Sequence, residues 1–271
     1  MLAQRLQRAG DVRQNVPYLV SEKYDGIRAA WDGKRHFWTR GGLKVRAPPA
    51  FSAALPPVPL DGELWAGRGR FDVAASLYQS PSDAGWLGRL QYRVFDMPGA
   101  RGPFVETYRQ LRALLPAACS SGSSSGNFRP PVCLAPQREA ARMNVQSAFE
   151  DLVAAGAEGL MLRRADRPYR AGRSTDILKL KRVADAEAVV VGHVPGQGAQ
   201  TGAMGALRVR WAAPNRQRAG TFKVGTGFSG QQRRNAQRLF PPGTRITVQY
   251  MELTQSGKPR HPVFKGVRTN M

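Results

Sequence analysis

Lysine is scarce in this basic chain, and three lysines stand where such a residue could act as a nucleophile. The sequence has 41 Lys and Arg residues against 19 Asp and Glu, and eight of the basic residues are lysines. Arginine does not lose its proton in proteins, whereas a partly desolvated lysine amine near other cations can. Lys23 precedes Asp25 and Arg28 in a strand-like segment, and Lys179 and Lys181 can project from one face of a strand. These three lysines are therefore candidates for covalent or charge-neutralising chemistry.

The excess of positive charge predicts a polyanionic partner. The formal net charge is +22, which is far more than solubility requires. The arginines are spread along the whole chain, whereas a membrane-surface protein usually has a polybasic cluster or an amphipathic helix. We therefore expect nucleic acid as the partner. No run approaches the roughly 18 to 20 apolar residues of a membrane helix, so no membrane span is expected.

The elements that must position these residues fall into two groups along the chain. In the first, segments rich in β-branched and aromatic residues predict an antiparallel sheet, and apolar residues at helical spacing predict helices at 71–79, 106–118 and 144–157. After residue 182 the pattern changes to short strands between Gly-rich or Pro-rich turns, with one helix at 229–240. The predicted fold class is α+β, with a first domain at 1–182 and a small β-barrel of the OB type at 183–271.

Several motifs follow one another in the order found in one family of enzymes. Lys-x-Asp-Gly-x-Arg at 23–28 resembles the nucleotidyltransferase signature of ATP-dependent ligases and mRNA capping enzymes. The others are WTRGG at 38–42, LDGELW at 60–65, YRVFD at 92–96, EGLMLRR at 158–164 and ILKLKR at 177–182. In the second domain, FKVGTGFS at 222–229 and GKPRHPVFKGVR at 257–268 resemble the OB barrel of small bacterial and viral DNA ligases. The likeness covers nearly the whole chain and is to the minimal two-domain bacterial type of ATP-dependent DNA ligase.

The resemblance implies how the phosphate chemistry is divided among five residues. Lys23 would attack the α-phosphate of ATP and carry the AMP as a phosphoramidate. Asp25 and Glu158 would hold Mg²⁺, for which Mn²⁺ could substitute, because such hard cations take carboxylate and phosphate oxygens. Lys179 and Lys181 would neutralise the charge that develops on the pentavalent phosphate and the departing pyrophosphate.

The same resemblance assigns five further residues to the nucleotide and the DNA. Arg28 and Glu63 would hydrogen-bond the ribose, and Phe95 would stack on adenine. Arg40 would hold the 5′-phosphate of the nick, since a guanidinium can bind phosphate oxygens through two donors. Arg268 would contact DNA or stand as the remnant of a C-terminal motif that orients pyrophosphate, because the sequence has no Asp-Lys pair of the kind that motif contains.

The motifs leave other interpretations open at some positions. Phe95 could instead pack in the core, and Glu63 could belong to a turn at the preceding Asp-Gly dipeptide. The Gly-rich stretch at 192–205 lacks the strand-to-helix setting of a phosphate-binding loop, so we expect a barrel turn there. Cys119 and Cys133 flank SSGSSSG, which is typical of a flexible loop, and they form either a disulfide or two unpaired thiols.

The predicted function is ATP-dependent sealing of nicks in duplex DNA by a monomer. An RNA ligase or a GTP-using capping enzyme shares the active-site chemistry and stays an alternative. A non-catalytic nucleic-acid-binding module is an alternative of another class, and it predicts loss of the nucleophile or of a metal carboxylate, although Lys23 and Glu158 are both present. The resemblance further implies a periplasmic location with the leader removed, and the cytoplasm is the alternative.

Overall fold

The computed structural model describes residues 1–53, 55–117, 132–211, 220–251, 253–254 and 257–268. The chain divides into two units, Met1–Lys181 and Arg182–Met271, and each of them has hydrophobic core residues of its own. None of the helices in these ranges is long and apolar enough to cross a membrane.

The first unit contains two β-sheets, where the sequence suggested one. Its strands are β1 (Leu2–Arg5), β2 (Tyr18–Glu22), β3 (Ile27–Asp32), β4 (Phe37–Thr39), β5 (Lys44–Val45), β6 (Pro59–Trp65), β7 (Gln91–Asp96), β8 (Val132–Leu134), β9 (Arg138–Glu139), β10 (Gly159–Arg164) and β11 (Arg173–Lys181). The strand orders are β1-β11-β10-β2-β9 in one sheet and β5-β4-β3-β6-β7-β8 in the other. Most pairs are antiparallel, as expected, but β1 with β11 and β7 with β8 are parallel.

Five α-helices accompany these sheets in the described part of the first unit. They are α1 (Pro49–Ser52), α2 (Phe71–Gln79), α3 (Asp83–Arg89), α4 (Phe104–Leu114) and α5 (Val145–Ala154). The prediction at 71–79 is confirmed, and α5 begins after Asn144, whose side chain accepts a hydrogen bond from the Ser147 amide. Helix α4 starts two residues before the predicted 106–118 and ends at Leu114, while residue 118 lies outside the described ranges. Helix α3 was not predicted, because seven residues are too few to show a helical period.

The chain passes from one sheet to the other within the four residues 23–26. Strand β2 ends at Glu22 and β3 begins at Ile27. Gly26 packs so tightly on strand β6 that an added Cβ would overlap the carbonyl oxygen of Leu64, so the crossing requires a glycine. At its other end, the Lys23 amide donates a hydrogen bond to the Gly159 carbonyl at 2.8 Å. The segment that carries Lys23 is therefore held by both sheets.

The second unit is a five-stranded antiparallel sheet with two short α-helices in its described part. The elements are β12 (Ala184–Pro195), β13 (Met204–Trp211), β14 (Gly220–Val224), α6 (Gly230–Arg234), α7 (Ala236–Leu239), β15 (Arg245–Tyr250) and β16 (Val263–Val267). The strand order is β14-β13-β12-β15-β16, and a further bridge joins Thr226 to Val263, which brings the two edges together as in a barrel.

Two predictions for this unit are settled by the backbone. The Gly-rich stretch at 192–205 contains the connection between β12 and β13, so the barrel turn expected there is confirmed. The single helix expected at 229–240 is instead two short helices. They separate at Asn235, whose φ of −102° and ψ of 22° depart from helical values. Apolar spacing alone continues across this position and could not reveal the break.

Candidate active site

A cavity of about 240 Å³ in the first unit is lined by residues of both sheets. Six of the predicted site residues line it: Lys23, Arg28, Arg40, Glu63, Phe95 and Lys179. Met161 and Arg163, which project from β10, also contribute to the wall. The structure therefore brings together side chains that are far apart in the sequence, as the ordered motifs predicted.

Lys23 belongs to a three-residue charged cluster beside the cavity. Its Nζ donates to Glu158 Oε2 at 2.5 Å, and the Lys181 Nζ donates to the other oxygen, Oε1. Burial would raise the pKa of Glu158, but the two ammonium groups and their hydrogen bonds outweigh it and lower that pKa. Glu158 is thus an ionised carboxylate shared by two cations.

The register of β10 and β11 places both motif lysines of β11 at this site. Lys181 is opposite Gly159, and Lys179 is opposite Met161, so the two lysines lie on one face of the strand. Gly159 has a φ of 153°, and an added Cβ there would overlap the Leu180 carbonyl. Burial and the neighbouring cations lower the pKa of both Lys179 and Lys181. A glycine after Glu158 therefore lets the two strands approach closely enough to form the cluster.

Arg28 has a carboxylate partner that sequence reasoning missed. Its Nε donates to Asp61 Oδ1 at 3.0 Å and its Nη2 to Oδ2 at 2.5 Å. Asp61 is 3% exposed and lies within β6, so the turn considered at this dipeptide is not present. The guanidinium carbon of Arg28 is 5.6 Å from the centre of the Phe95 ring. The pair of Arg28 with Asp61 becomes visible only when β3 and β6 are paired in the structure, because 33 residues separate the two partners in the sequence.

Glu63 is a carboxyl group with an unusual protonation state. Burial raises its pKa to about 8, although Lys23 and Arg28 act in the opposite direction. It therefore carries a proton at neutral pH in the nucleotide-free protein. A protonated carboxyl can both donate and accept a hydrogen bond, which suits a partner such as a sugar hydroxyl.

The remaining predicted residues lie outside this cluster. Arg40 is exposed in the turn between β4 and β5, and the described residues offer it no hydrogen-bond or ion-pair partner. Asp25 lies close enough to Lys181 to raise the pKa of that lysine, against the larger effect of burial. Arg268 belongs to the second unit, where its Nη1 binds Glu187 Oε1 at 2.7 Å. Within the described ranges, no group of three or more His, Cys, Asp or Glu side chains is arranged so that it could hold a metal ion.

The sequence does not decide whether the two cysteines form a disulfide or remain unpaired thiols. Cys133 is fully buried in β8 and is disulfide-bonded. The only other cysteine of the sequence is Cys119, which lies outside the described residues together with the SSGSSSG stretch. The bonded state of Cys133 thus excludes the alternative of two unpaired thiols.

Comparisons with known proteins agree with the fold. Residues 195–268 match the family described as the DNA ligase OB-like domain. The chain is 31% identical over 247 residues to a DNA ligase from Haemophilus influenzae, covering 91% of this chain and 85% of that one. A solved structure of a Lig E DNA ligase is 35% identical, with a TM-score of 0.82 and coverage of 99% of this chain and 98% of that one. The adenylated Chlorella virus DNA ligase, at 23% identity and a TM-score of 0.53 over 100% of this chain and 98% of that one, has the same fold.

Replacing Glu63 by Gln should reduce the pH dependence of stability. The folded protein holds the Glu63 proton up to about pH 8, whereas an unfolded glutamate loses it near pH 4.3. The contribution of Glu63 to stability must therefore fall as the pH rises between these values, and glutamine cannot contribute to that fall. Thermal unfolding of nucleotide-free protein at several pH values tests this, with the exposed Glu150→Gln as control. A Glu63→Gln profile as steep as the wild-type profile would contradict the raised pKa.

Proposed function

The chain belongs to the ATP-dependent DNA ligases, and from that premise we propose that it seals nicks in duplex DNA as a monomer, with Lys23 carrying the AMP. The observation that carries this proposal is the position of Lys23, on a segment held by both sheets, bound to Glu158 and lining a cavity. The cavity also presents Lys179 for phosphates and an aromatic ring for a base. This arrangement supports a covalent nucleotidyl enzyme over a non-catalytic binding module.

In the proposed first step, the Lys23 amine attacks the α-phosphorus of ATP. The Lys23 ammonium first loses a proton to solvent. A nitrogen–phosphorus bond then forms with loss of a second proton from the nitrogen to solvent, the bond from the α-phosphorus to the bridging oxygen breaks, and pyrophosphate leaves. Lys179 and Lys181, which share a face of β11, would neutralise the negative charge that moves onto the leaving group. Before the nucleotide reacts, Glu158 pairs with both the Lys23 and the Lys181 ammonium groups.

The proposed nucleotide site uses the wall of the cavity beyond Lys23. Phe95 on one sheet and Met161 on the other would receive the adenine ring between them. Such a stacked base contributes on the order of 1 to 3 kcal/mol. Glu63 would bind a ribose hydroxyl, and Arg28, fixed by Asp61, would border the same part of the nucleotide.

The donor set fits Mg²⁺, with Mn²⁺ as a substitute. Glu158 is ionised, Asp25 is in the neighbouring crossing segment, and the described part of the chain has no cluster of three metal-binding side chains. A cation that takes one or two carboxylates and completes its shell with phosphate oxygens and water matches this set. Bound there, Mg²⁺ would stabilise charge on the α-phosphate oxygens.

In the later steps, AMP would pass from Lys23 to the 5′-phosphate of the nick, and the 3′-hydroxyl would then displace AMP to form the phosphodiester. Arg40 lines the same cavity as Lys23 and is a candidate to hold the 5′-phosphate. Its side chain is exposed and has no ion-pair partner in the described ranges, so binding a phosphate would not require breaking an internal contact.

The second unit supplies a basic surface that supports duplex DNA as the substrate. Arg208 and Lys223 are directly opposed on β13 and β14, and Arg210 follows on the same exposed face. Like charges directly opposite in a sheet are destabilising. DNA phosphates would relieve this repulsion and release counterions on binding.

The main test is the intact mass of the protein after incubation with Mg²⁺ and either ATP, GTP or NAD⁺. Wild-type protein should gain one AMP from ATP and lose it to nicked duplex DNA with formation of sealed product. Lys23→Ala should gain nothing, because no other amine occupies the crossing between the sheets. Lys34→Ala, which removes an exposed lysine from a turn, is the matched control and should behave as wild type.

Three outcomes would contradict the proposal at different points. A GMP adduct would indicate a capping enzyme, and discharge by nicked RNA alone would indicate an RNA ligase. An AMP adduct that persists in Lys23→Ala would leave the ligase activity intact but place the covalent bond elsewhere.

Arg40→Ala should form the adenylate at the wild-type rate and transfer AMP to the nick more slowly. Losing a charge-assisted contact of about 2 kcal/mol corresponds to roughly a thirtyfold slower transfer. Single-turnover transfer from preformed enzyme-adenylate measures this step alone. Arg35→Ala, which removes an equal charge from the turn before β4, is the control. A defect of Arg40→Ala in adenylate formation would show that its assigned role is wrong.

The periplasm is the proposed location. The support is the disulfide at Cys133, because disulfides persist in oxidising compartments and are rare in the cytosol. Cell fractionation with thiol labelling before and after reduction tests it, and the protein should be periplasmic with thiols that label only after reduction. Recovery from the cytoplasm with both thiols labelled at once would contradict the proposal.

A further inference from the structure

A buried ion pair joins the two sheets of the first unit beside the nucleotide cavity. Arg163 on β10 donates through Nη1 to Asp96 Oδ2 at the end of β7. Arg163 is 6% exposed and Asp96 is 2% exposed. Burial lowers the pKa of Arg163 to about 10, which still leaves it charged at neutral pH. Both residues border the cavity, but they offer almost no surface to a bound molecule.

The arginine is fixed on a second side by the start of α4. Its guanidinium carbon lies 4.0 Å from the centre of the buried Phe104 ring. The Phe104 amide donates to the Arg167 carbonyl at 2.9 Å, and the Val105 amide donates to the Ala165 carbonyl at the same distance. The chain after β10 and the start of α4 are thus tied together around the Arg163 side chain.

Phe95 lies next to this pair in a strand irregularity. Along β6 and β7, Asp61 is opposite Asp96 and Gly62 is opposite Val94, so Phe95 has no partner in the ladder. Such a bulge turns a side chain in a direction that a regular strand does not allow, and it commonly occurs beside active sites. The direction of the ring then depends on what holds the residues on either side of it. On one side, Asp96 binds both Arg163 and, through Oδ1, the Met97 amide at 2.9 Å.

The pair is a costly way to join two sheets. A buried ion pair gives little net stability compared with apolar side chains of similar size. The Nη2 of Arg163 is in addition buried without a hydrogen-bond partner in the described part of the chain. Apolar side chains at this position would commonly hold the sheets together at least as well, so the pair is better explained by the geometry it imposes.

We propose that Asp96 and Arg163 are positioning residues for the adenylation step, which hold the bulged Phe95 in the orientation that receives adenine. The inference rests on the proposed stacking role of Phe95. It adds that nucleotide affinity depends on an ion pair between the sheets that does not touch the nucleotide.

The test measures the rate of lysyl-AMP formation in the full-length protein at increasing ATP concentration, in single turnovers. Asp96→Asn keeps the shape of the side chain and removes its charge. Asp96→Asn should raise the half-saturating ATP concentration about tenfold, which is less than complete loss of the stacked base would cause. The maximal rate should change little. A merely structural defect would instead lower the fraction of active protein and leave the half-saturating concentration unchanged.

A Phe95→Ala background decides whether the pair acts through the ring. Phe95→Ala should itself raise the half-saturating concentration, and adding Asp96→Asn should then change it little further, because the ring to be positioned is gone. Arg164→Gln, which breaks the exposed pair with Asp166 one residue along β10, is the matched control and should leave both parameters unchanged. If Asp96→Asn does not fold, as judged by thermal unfolding, Arg163→Lys takes its place in the same comparisons.

Each result has a distinct meaning. An equal effect of Asp96→Asn with and without the Phe95 ring would overturn the inference, as would no effect in the presence of the ring. If Phe95→Ala leaves the half-saturating concentration unchanged, the proposed stacking role fails first, and the inference fails with it. If the effects of Asp96→Asn and Phe95→Ala are additive, or if Asp96→Asn changes the maximal rate alone, the ion pair does not act through the Phe95 ring.

Discussion

The shared binding of Lys23 and Lys181 by the Glu158 carboxylate is the interaction on which the first unit depends most. Three partly buried charges carry a net positive charge here, which is costly unless each hydrogen-bonding group is satisfied. The close approach of β10 and β11 at Gly159, the crossing segment at 23–26 and the burial of Glu158 all serve to satisfy them. The cluster also leaves the site electropositive, so an anionic triphosphate would gain a Coulomb attraction there that a neutral molecule would not.

The two sheets contribute different kinds of residue to the cavity. The sheet with β10 and β11 supplies Lys179 and Met161, whereas the sheet with β3, β6 and β7 supplies Arg28, Glu63 and Phe95. The lysine proposed to neutralise phosphate is therefore on one layer, and the residues proposed to bind the ribose are on the other, while Met161 and Phe95 face the cavity from the two layers. Contacts that fix one layer on the other, such as the Arg163 pair with Asp96, then set the distance between the two functions.

The convergence of the candidate residues could be predicted from sequence, because they belong to short local motifs. Lys23, Glu63 and Phe95 lie in such motifs and line one cavity. The pairs between motifs could not be predicted. Asp61 binds Arg28 and Asp96 binds Arg163 through contacts over 33 and 67 residues, and these follow from strand register that no local pattern encodes. The second sheet was missed for the same reason, since composition identifies strands but not the sheet to which each belongs.

The crossing segment also limits how this protein can change over evolutionary time. Strand residues alternate between faces, so an insertion or deletion of one residue between Glu22 and Ile27 would turn either Lys23 or Arg28 away from the cavity. Gly26 tolerates no side chain, because the Leu64 carbonyl fills the space. Variation of length should therefore be absent from this connection and concentrated in surface turns. The lysine and the connection between the two sheets therefore belong to one stretch of sequence that cannot change in length.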